Sequence, residues 1–220
     1  MDSEAIIATL YNPLKTEAIL AHAEFQMWDE LYAVHPDRVD IMNATAGGFF
    51  SMLSPMLTDN VMMRLSRLTD PPGSGKHRNL TLRLLIPLLG NNSVAVGAFR
   101  DELGTLDAAC EAMRMQRNKR MAHLDLGTAT LDKSDPLPGV RVADLRICLH
   151  HLKEAMNIFE RQRGLPVVMY ADFIHHSGPL ALLGALKRTI AYRKHVELGT
   201  IDPRDDFLEL PQRMPKHGQN

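Results

Sequence analysis

The sequence predicts an all-α chain folded as an antiparallel bundle of about five to seven helices. Three observations carry this. Apolar residues recur at alternating steps of three and four over several long stretches, which is helical rather than strand periodicity. Loops rich in Pro, Gly and Asp separate those stretches. No stretch alternates apolar and polar residues as a half-buried strand would. Helices joined by short loops bury their stripes by packing antiparallel.

Leu14, Ala18, Ala21, Phe25, Trp28 and Tyr32 mark a first helix over about 14–33, with Pro36 as its stop. A second helical region covers about 38–69, with Phe50, Leu53, Leu57, Val61, Leu65 and Leu68 on one face. Pro55 is expected to kink or divide it, and Gly47-Gly48 weakens its first half. Residues 70–76 form a loop. A third helix is expected over 79–89, and a fourth from about 93 to 122 with Asn92 or Ser93 as N-cap. A helix over 141–162 carries the cleanest stripe, Val142, Leu145, Leu149, Leu152, Met156 and Phe159. Gly164-Leu165-Pro166 ends it. Ser177-Gly178-Pro179 opens a last helix running to about 198. Residues 1–200 read as one domain and 201–220 as an irregular tail that could pack as an arm on a partner.

At 220 residues the chain is long enough to bury a proper core. Its 25 basic and 26 acidic residues nearly cancel, which argues against a general polyanion binder and restricts any nucleic-acid contact to a local patch. Cys110 and Cys148 both fall on helical stripes and read as small core residues. A basic-then-apolar leader and an apolar run of bilayer length are both missing, so the expectation is a cytoplasmic protein with no membrane contact.

Two candidate chemistries fail on spacing. Gly73-Ser74-Gly75-Lys76 has the look of a phosphate-binding loop, but Asp70 stands where the first Gly is needed, His77 follows the Lys, and no strand precedes it. A di-metal bundle site needs Glu-x-x-His on two helices, and no Glu here has a His three residues later. No metal or other cofactor is expected.

The stretch that stands out is Arg117-Asn118-Lys119-Arg120-Met121-Ala122-His123-Leu124-Asp125. Val96, Phe99, Leu103, Leu106, Cys110 and Met113 form the seam that leads to it, and the next step of four lands on Arg117. A guanidinium on a core-facing stripe costs desolvation free energy unless it is paired or has a task. His123 follows six residues later and suits proton transfer near neutral pH. Together they fit an anion undergoing acid-base chemistry. Two plainer readings stand beside that one: an arginine snorkelling to water, and a histidine at a helix end making a dipole contact.

Arg117-Asn118, a short spacer and His123 at the end of a helix in an all-α chain resemble the HEPN superfamily (higher eukaryotes and prokaryotes nucleotide-binding). The fuller string through Asp125 is similar to the AbiU-like, abortive-infection branch. Met63-Arg64-Leu65-Ser66-Arg67-Leu68-Thr69-Asp70-Pro71, followed by Asn79-Leu80-Thr81-Leu82, is similar to the same branch. The resemblance implies a metal-independent endoribonuclease, a toxin or phage-defence effector working as a homodimer on RNA, with an antitoxin or other regulatory partner as a further expectation. In that scheme Arg117, His123 and Asn118 are catalytic, and Asp125 supports them. Arg114, Lys119 and Arg120 give, with Arg117, four cations in seven residues to draw RNA, and Arg64 and Arg67 extend the patch. Some HEPN proteins carry, two residues after the His, a Tyr that a partner nucleotidyltransferase adenylylates; here Asp125 stands there. The alternatives are a non-catalytic HEPN module binding RNA, a nucleotide or a partner protein, and a structural bundle in which the motif is a coincidence.

Overall fold

The computed structural model describes residues 3–74, 76–121, 139–172 and 177–202. Among them the order is α1 (Ser3–Trp28), a π-turn (Asp29–Ala33), α2 (Pro36–Thr69), the strands β1 (Gly73–Ser74) and β2 (His77–Arg78), and a 3-10 helix (Leu82–Leu89). Then come α3 (Ser93–Ala109), α4 (Glu111–Gln116), a second π-turn (Arg117–Met121), α5 (Val142–Gln162) and α6 (Pro179–Glu197). The fold is an all-α bundle, as the sequence predicts. Among the described residues the one β feature is a two-residue antiparallel pairing, Gly73 opposite Arg78 and Ser74 opposite His77, which pinches the loop after α2. So short a pairing leaves no periodicity to detect.

Several boundaries differ from expectation for physical reasons. The first helix begins at Ser3 and runs through Pro13. Ile7 and Tyr11 extend its stripe backwards and are buried. Pro36 opens α2 as its first residue, with the His35 ring accepting a hydrogen bond from the Asp37 amide. Within α2 the non-helical residue is Ala46 (φ −145°, ψ 51°), just before Gly47-Gly48, while the helix continues through Pro55. The third segment is a 3-10 helix and not an α-helix. It still buries Leu82, Leu85 and Leu89.

One large core unites α1, the C-terminal half of α2, the 3-10 helix, α3 and α5. The seam read from the sequence is its spine: Phe99, Leu103, Leu106, Cys110 and Met113 are all buried, as are Leu145, Leu149, Leu152, Met156 and Phe159 opposite them. Cys110 and Cys148 are free thiols 3.6 Å apart inside it. The Cys148 thiol is pushed up by its hydrogen bond with Cys110 and by burial, which keeps it protonated. A smaller cluster joins Leu31, Met42, Phe50 and Leu183, so the break at Ala46 lets the N-terminal part of α2 serve the contact with α6.

One buried acid closes the far end of the bundle. Glu160, fully buried, accepts hydrogen bonds from Tyr11 Oη at 2.8 Å, Tyr170 Oη at 2.5 Å and the Val168 amide at 2.9 Å. Three donors answer the desolvation of its carboxyl group and tie the segment after α5 to α1. Both phenols are raised well above their ordinary pKa, first by burial and then by the Glu160 contact.

Candidate functional site

The seam helix changes character where the motif begins. α3 is capped by Asn92, whose Oδ1 accepts from the Ala95 amide at 3.2 Å, and it breaks at Cys110. The one short turn of α4 follows, and from Arg117 the backbone widens into a π-turn. Such turns often occur at functional sites. On an α-helix the six residues from Arg117 to His123 would leave the two side chains about 120° apart, but the α path ends at Gln116, so that arithmetic does not extend through the motif. His123 and Asp125 lie outside the described residues.

Arg117 keeps the inward direction of the seam. Its side chain is 17% exposed, and Nη1 donates to Asp70 Oδ2 at 2.6 Å, with Asp70 18% exposed. Nε donates to Asn118 Oδ1 at 3.0 Å. The charge at the end of the seam is therefore answered inside the chain, by the residue that caps α2. Asn118 is itself exposed.

The neighbouring cations are matched in the same way. Arg114 Nη1 donates to Asp107 Oδ1 and to Thr69 Oγ1, each at 3.0 Å, and Nη2 donates to the Asp107 carbonyl at 2.8 Å. The Thr69 hydroxyl in turn donates to the Leu65 carbonyl. Arg120 grips Asp59 with both Nη atoms, at 2.6 and 3.1 Å, and is 42% exposed. Lys119 is half-buried.

Arg64 and Arg67 lie on α2 facing α1. Arg64 makes a two-pronged contact with Glu24, both bonds 2.9 Å, and a third bond to Glu17 at 3.0 Å. The hydrogen bonds to Glu24 are the first cause holding its guanidinium above the ordinary arginine value. Arg67 shares Glu17 at 2.9 Å but is 54% exposed. The structure thus sets Arg114 and Arg117 against the end of α2 at Thr69 and Asp70, Arg120 against Asp59 earlier on the same helix, and Arg64 between Glu17 and Glu24 of α1.

Thr69 and Asp70 stand in the second family-like segment without a role as arginine partners, and Asp59 and Asp107 are not singled out in the sequence. Each pairs with an arginine through space, at separations along the chain of 47 (Asp70), 61 (Asp59), 7 (Asp107) and 45 (Thr69). Only the Asp107–Arg114 spacing of seven, two turns on the unbroken helix the sequence predicts, carried a local signal. Among the described residues no group of three His, Cys, Asp or Glu side chains could hold a metal, and no helix is long and apolar enough to cross a membrane.

An all-α bundle whose central seam ends in an arginine-led polar motif, pinned to the end of a second helix, is consistent with the HEPN resemblance of the sequence. The AbiU2 family model matches residues 3–159, and the chain belongs to that HEPN family, which is linked to abortive infection. Searches of curated proteins and of solved structures each returned no match.

Proposed function

We propose that this chain is a metal-independent endoribonuclease that serves as an abortive-infection or toxin effector and works as a homodimer. The observation that carries the reading is Arg117: a guanidinium kept on the core seam, partly buried, oriented by Asp70 and Asn118 through Nη1 and Nε. Nη2, which has no hydrogen-bond partner among the described residues, is the atom offered to a phosphate oxygen. A pre-oriented arginine in a partly desolvated setting stabilises developing charge on a phosphorane better than a solvated one.

In the reaction the ribose 2′-OH attacks the adjacent phosphorus, the 5′-oxygen leaves, and a 2′,3′-cyclic phosphate forms. His123 takes or gives the proton, a role worth roughly 10²–10⁴-fold. Asn118 holds the ribose or orients His123, and Asp125 supports His123. Lys119 and Arg120 gather the flanking phosphates, with Arg114, Arg64 and Arg67 behind them. One imidazole does not serve easily as base and acid in the same step, so the second is supplied by a second copy across a two-fold axis. An antitoxin or other regulatory protein is the expected restraint, and the cytoplasm the expected location.

The non-catalytic reading has one observation in its favour. Arg114, Arg117 and Arg120 each hold an acid of the same chain, and RNA must compete with those carboxylates. The deciding experiment is incubation of pure protein with RNA in EDTA. Cleavage that leaves a cyclic phosphate and vanishes in Arg117→Ala and in His123→Ala supports the enzyme. A Mg²⁺ requirement, or activity surviving His123→Ala, overturns the mechanism, and RNA binding without any cleavage supports the module.

A further inference from the structure

Beside the Arg117–Asp70 pair lies a cavity of about 520 Å³ between α1, the end of α2 and the segment after β2. Asp70, the partner of Arg117, is part of its lining. Its floor is apolar: Leu14 and Leu68 are each 1% exposed, and Leu80 is 40% exposed. Arg67 and Arg78 stand on its walls. Among the described residues Arg67 uses one Nη atom on Glu17 and makes no other side-chain hydrogen bond, and Arg78 has no ion pair.

Two acceptors are fixed in the same wall. The Asn79 side chain donates through Nδ2 to the Pro71 carbonyl at 2.9 Å, and its own amide donates to the Pro72 carbonyl at 2.9 Å. That anchoring settles the orientation of the carboxamide and leaves Oδ1 as an acceptor. Asp70 spends Oδ2 on Arg117, and Oδ1 remains an acceptor. An apolar floor suits the face of a planar ring, the arginines suit phosphates, and the acceptors suit N–H groups on the ring edge.

We infer that this cavity is the nucleotide subsite of the proposed ribonuclease, holding one nucleotide of single-stranded RNA beside the scissile bond and favouring bases with an exocyclic amine. The inference rests on the RNA reading above. Adenine, guanine and cytosine present NH₂ donors to the Asn79 and Asp70 oxygens, whereas uracil presents carbonyl oxygens flanking a single N–H. A carbonyl facing either acceptor sets lone pair against lone pair and forms no hydrogen bond where an amine would form one, which is the basis of the discrimination.

The test separates the subsite from the chemistry. The protein, in chelator, is titrated with AMP, GMP, CMP and UMP by calorimetry, and cleavage sites are mapped on RNA of random sequence. The amine-bearing nucleotides bind, with UMP weaker by about tenfold. Asn79→Ala narrows that gap, Arg78→Glu weakens all four, and Thr16→Trp, which adds bulk at an exposed wall position of α1, blocks binding while circular dichroism stays native. Cleavage sites lose their base preference in Asn79→Ala. Cleavage by a protein that binds no mononucleotide, with site preference unchanged in Asn79→Ala and Thr16→Trp, overturns the subsite and leaves the ribonuclease standing. Mononucleotide binding lost in Thr16→Trp, in a protein that never cuts RNA, does the reverse. Equal affinity for UMP overturns the base selection.

Discussion

Arg117 and Asp70, 47 residues apart in the chain, meet at 2.6 Å with both side chains more than four-fifths buried. This contact joins the two sequence segments that carry the family resemblance, and it turns a charged seam position into a paired one. Truncating either partner leaves the other charge partly buried and unpaired. Asp70→Ala and Arg117→Ala should each destabilise the fold by about 1–3 kcal/mol, with a coupling energy in the double mutant of about 1–2 kcal/mol. Urea denaturation of the four proteins measures it. Strictly additive effects would remove the pair from the account.

Arg114 and Arg120 separate stability from binding. Arg114 is 22% exposed and bonded to Asp107 and Thr69. Arg114→Glu sets a carboxylate against Asp107 and should cost about 2 kcal/mol or more of stability. Arg120 is exposed and its Asp59 pair is solvated, so Arg120→Glu should leave stability within about 0.5–1 kcal/mol. It should also weaken RNA binding and lower the log–log salt slope by about one unit. Thermal melts and filter binding at several salt concentrations check both. Unchanged RNA affinity in Arg120→Glu takes it off the interface.

The helices and their stripes were legible because burial imposes a period on the sequence. Phe99 to Met113 and Leu145 to Phe159 are the core, as spaced. The 3-10 geometry of Leu82–Leu89 was not legible, since its apolar spacing over two turns resembles that of an α-helix, whereas the break at Ala46 falls beside the Gly47-Gly48 pair that weakens this half of the helix in the sequence. Arg117 was legible as an anomaly on a stripe, whereas its answer, Asp70, was not. A pair formed across two helices has no spacing rule, and an Asp before Pro reads first as a helix stop. The acids at 59 and 107 were hidden for a related reason. A run of cations from 114 to 120 looks unopposed until the fold brings carboxylates from other positions to meet it.

Glu160 should be among the most costly polar residues to remove. Glu160→Ala strands two phenols and one amide in the core, and at about 1–3 kcal/mol for each unanswered donor the loss should exceed about 3 kcal/mol. Glu160→Gln keeps one acceptor and should cost less. Double substitution with Tyr11→Phe and Tyr170→Phe should recover part of the loss, because the donors go with the acceptor. Thermal melts that place Glu160→Ala near wild type would contradict the buried network.

His22 supplies a pH dependence. It is 6% exposed, with Nδ1 2.8 Å from the Ala18 carbonyl and Nε2 3.0 Å from the Leu149 carbonyl. Burial, the largest cause, lowers its pKa below the usual histidine value; the two carbonyls oppose this and Lys153 adds to it. A folded pKa below the unfolded one means that the unfolded chain binds the proton more readily. The stabilisation is present above about pH 6.5 and is lost as pH falls below it. His22→Gln should flatten the melting-temperature profile between about pH 7 and 5. A His22 resonance titrating above 6.5 would reverse the sign.

The proposed homodimer has its reason in the reaction, which needs two proton-transfer groups where each chain offers one. Asp70 already answers the charge of Arg117, so burying that arginine needs no second copy; completing a pair of proton-transfer groups does. A surface suited to the contact runs along α2. Phe49, Met52 and Met56 are 63%, 67% and 60% exposed at helical spacing, and the same face continues to Asp59, the partner of Arg120 in the motif. A two-fold contact there would set the two motifs near the axis. Wild-type protein should run as a dimer by light scattering at micromolar concentration. Met56→Glu places a charge on the exposed stripe without touching the core, so it should yield a folded monomer with cleavage lost, while a charge at exposed Val94 of α3 changes neither. A wild-type monomer that cuts RNA at that concentration, or a Met56→Glu monomer that retains full activity, defeats the shared-site mechanism, because one chain would then be supplying both proton transfers.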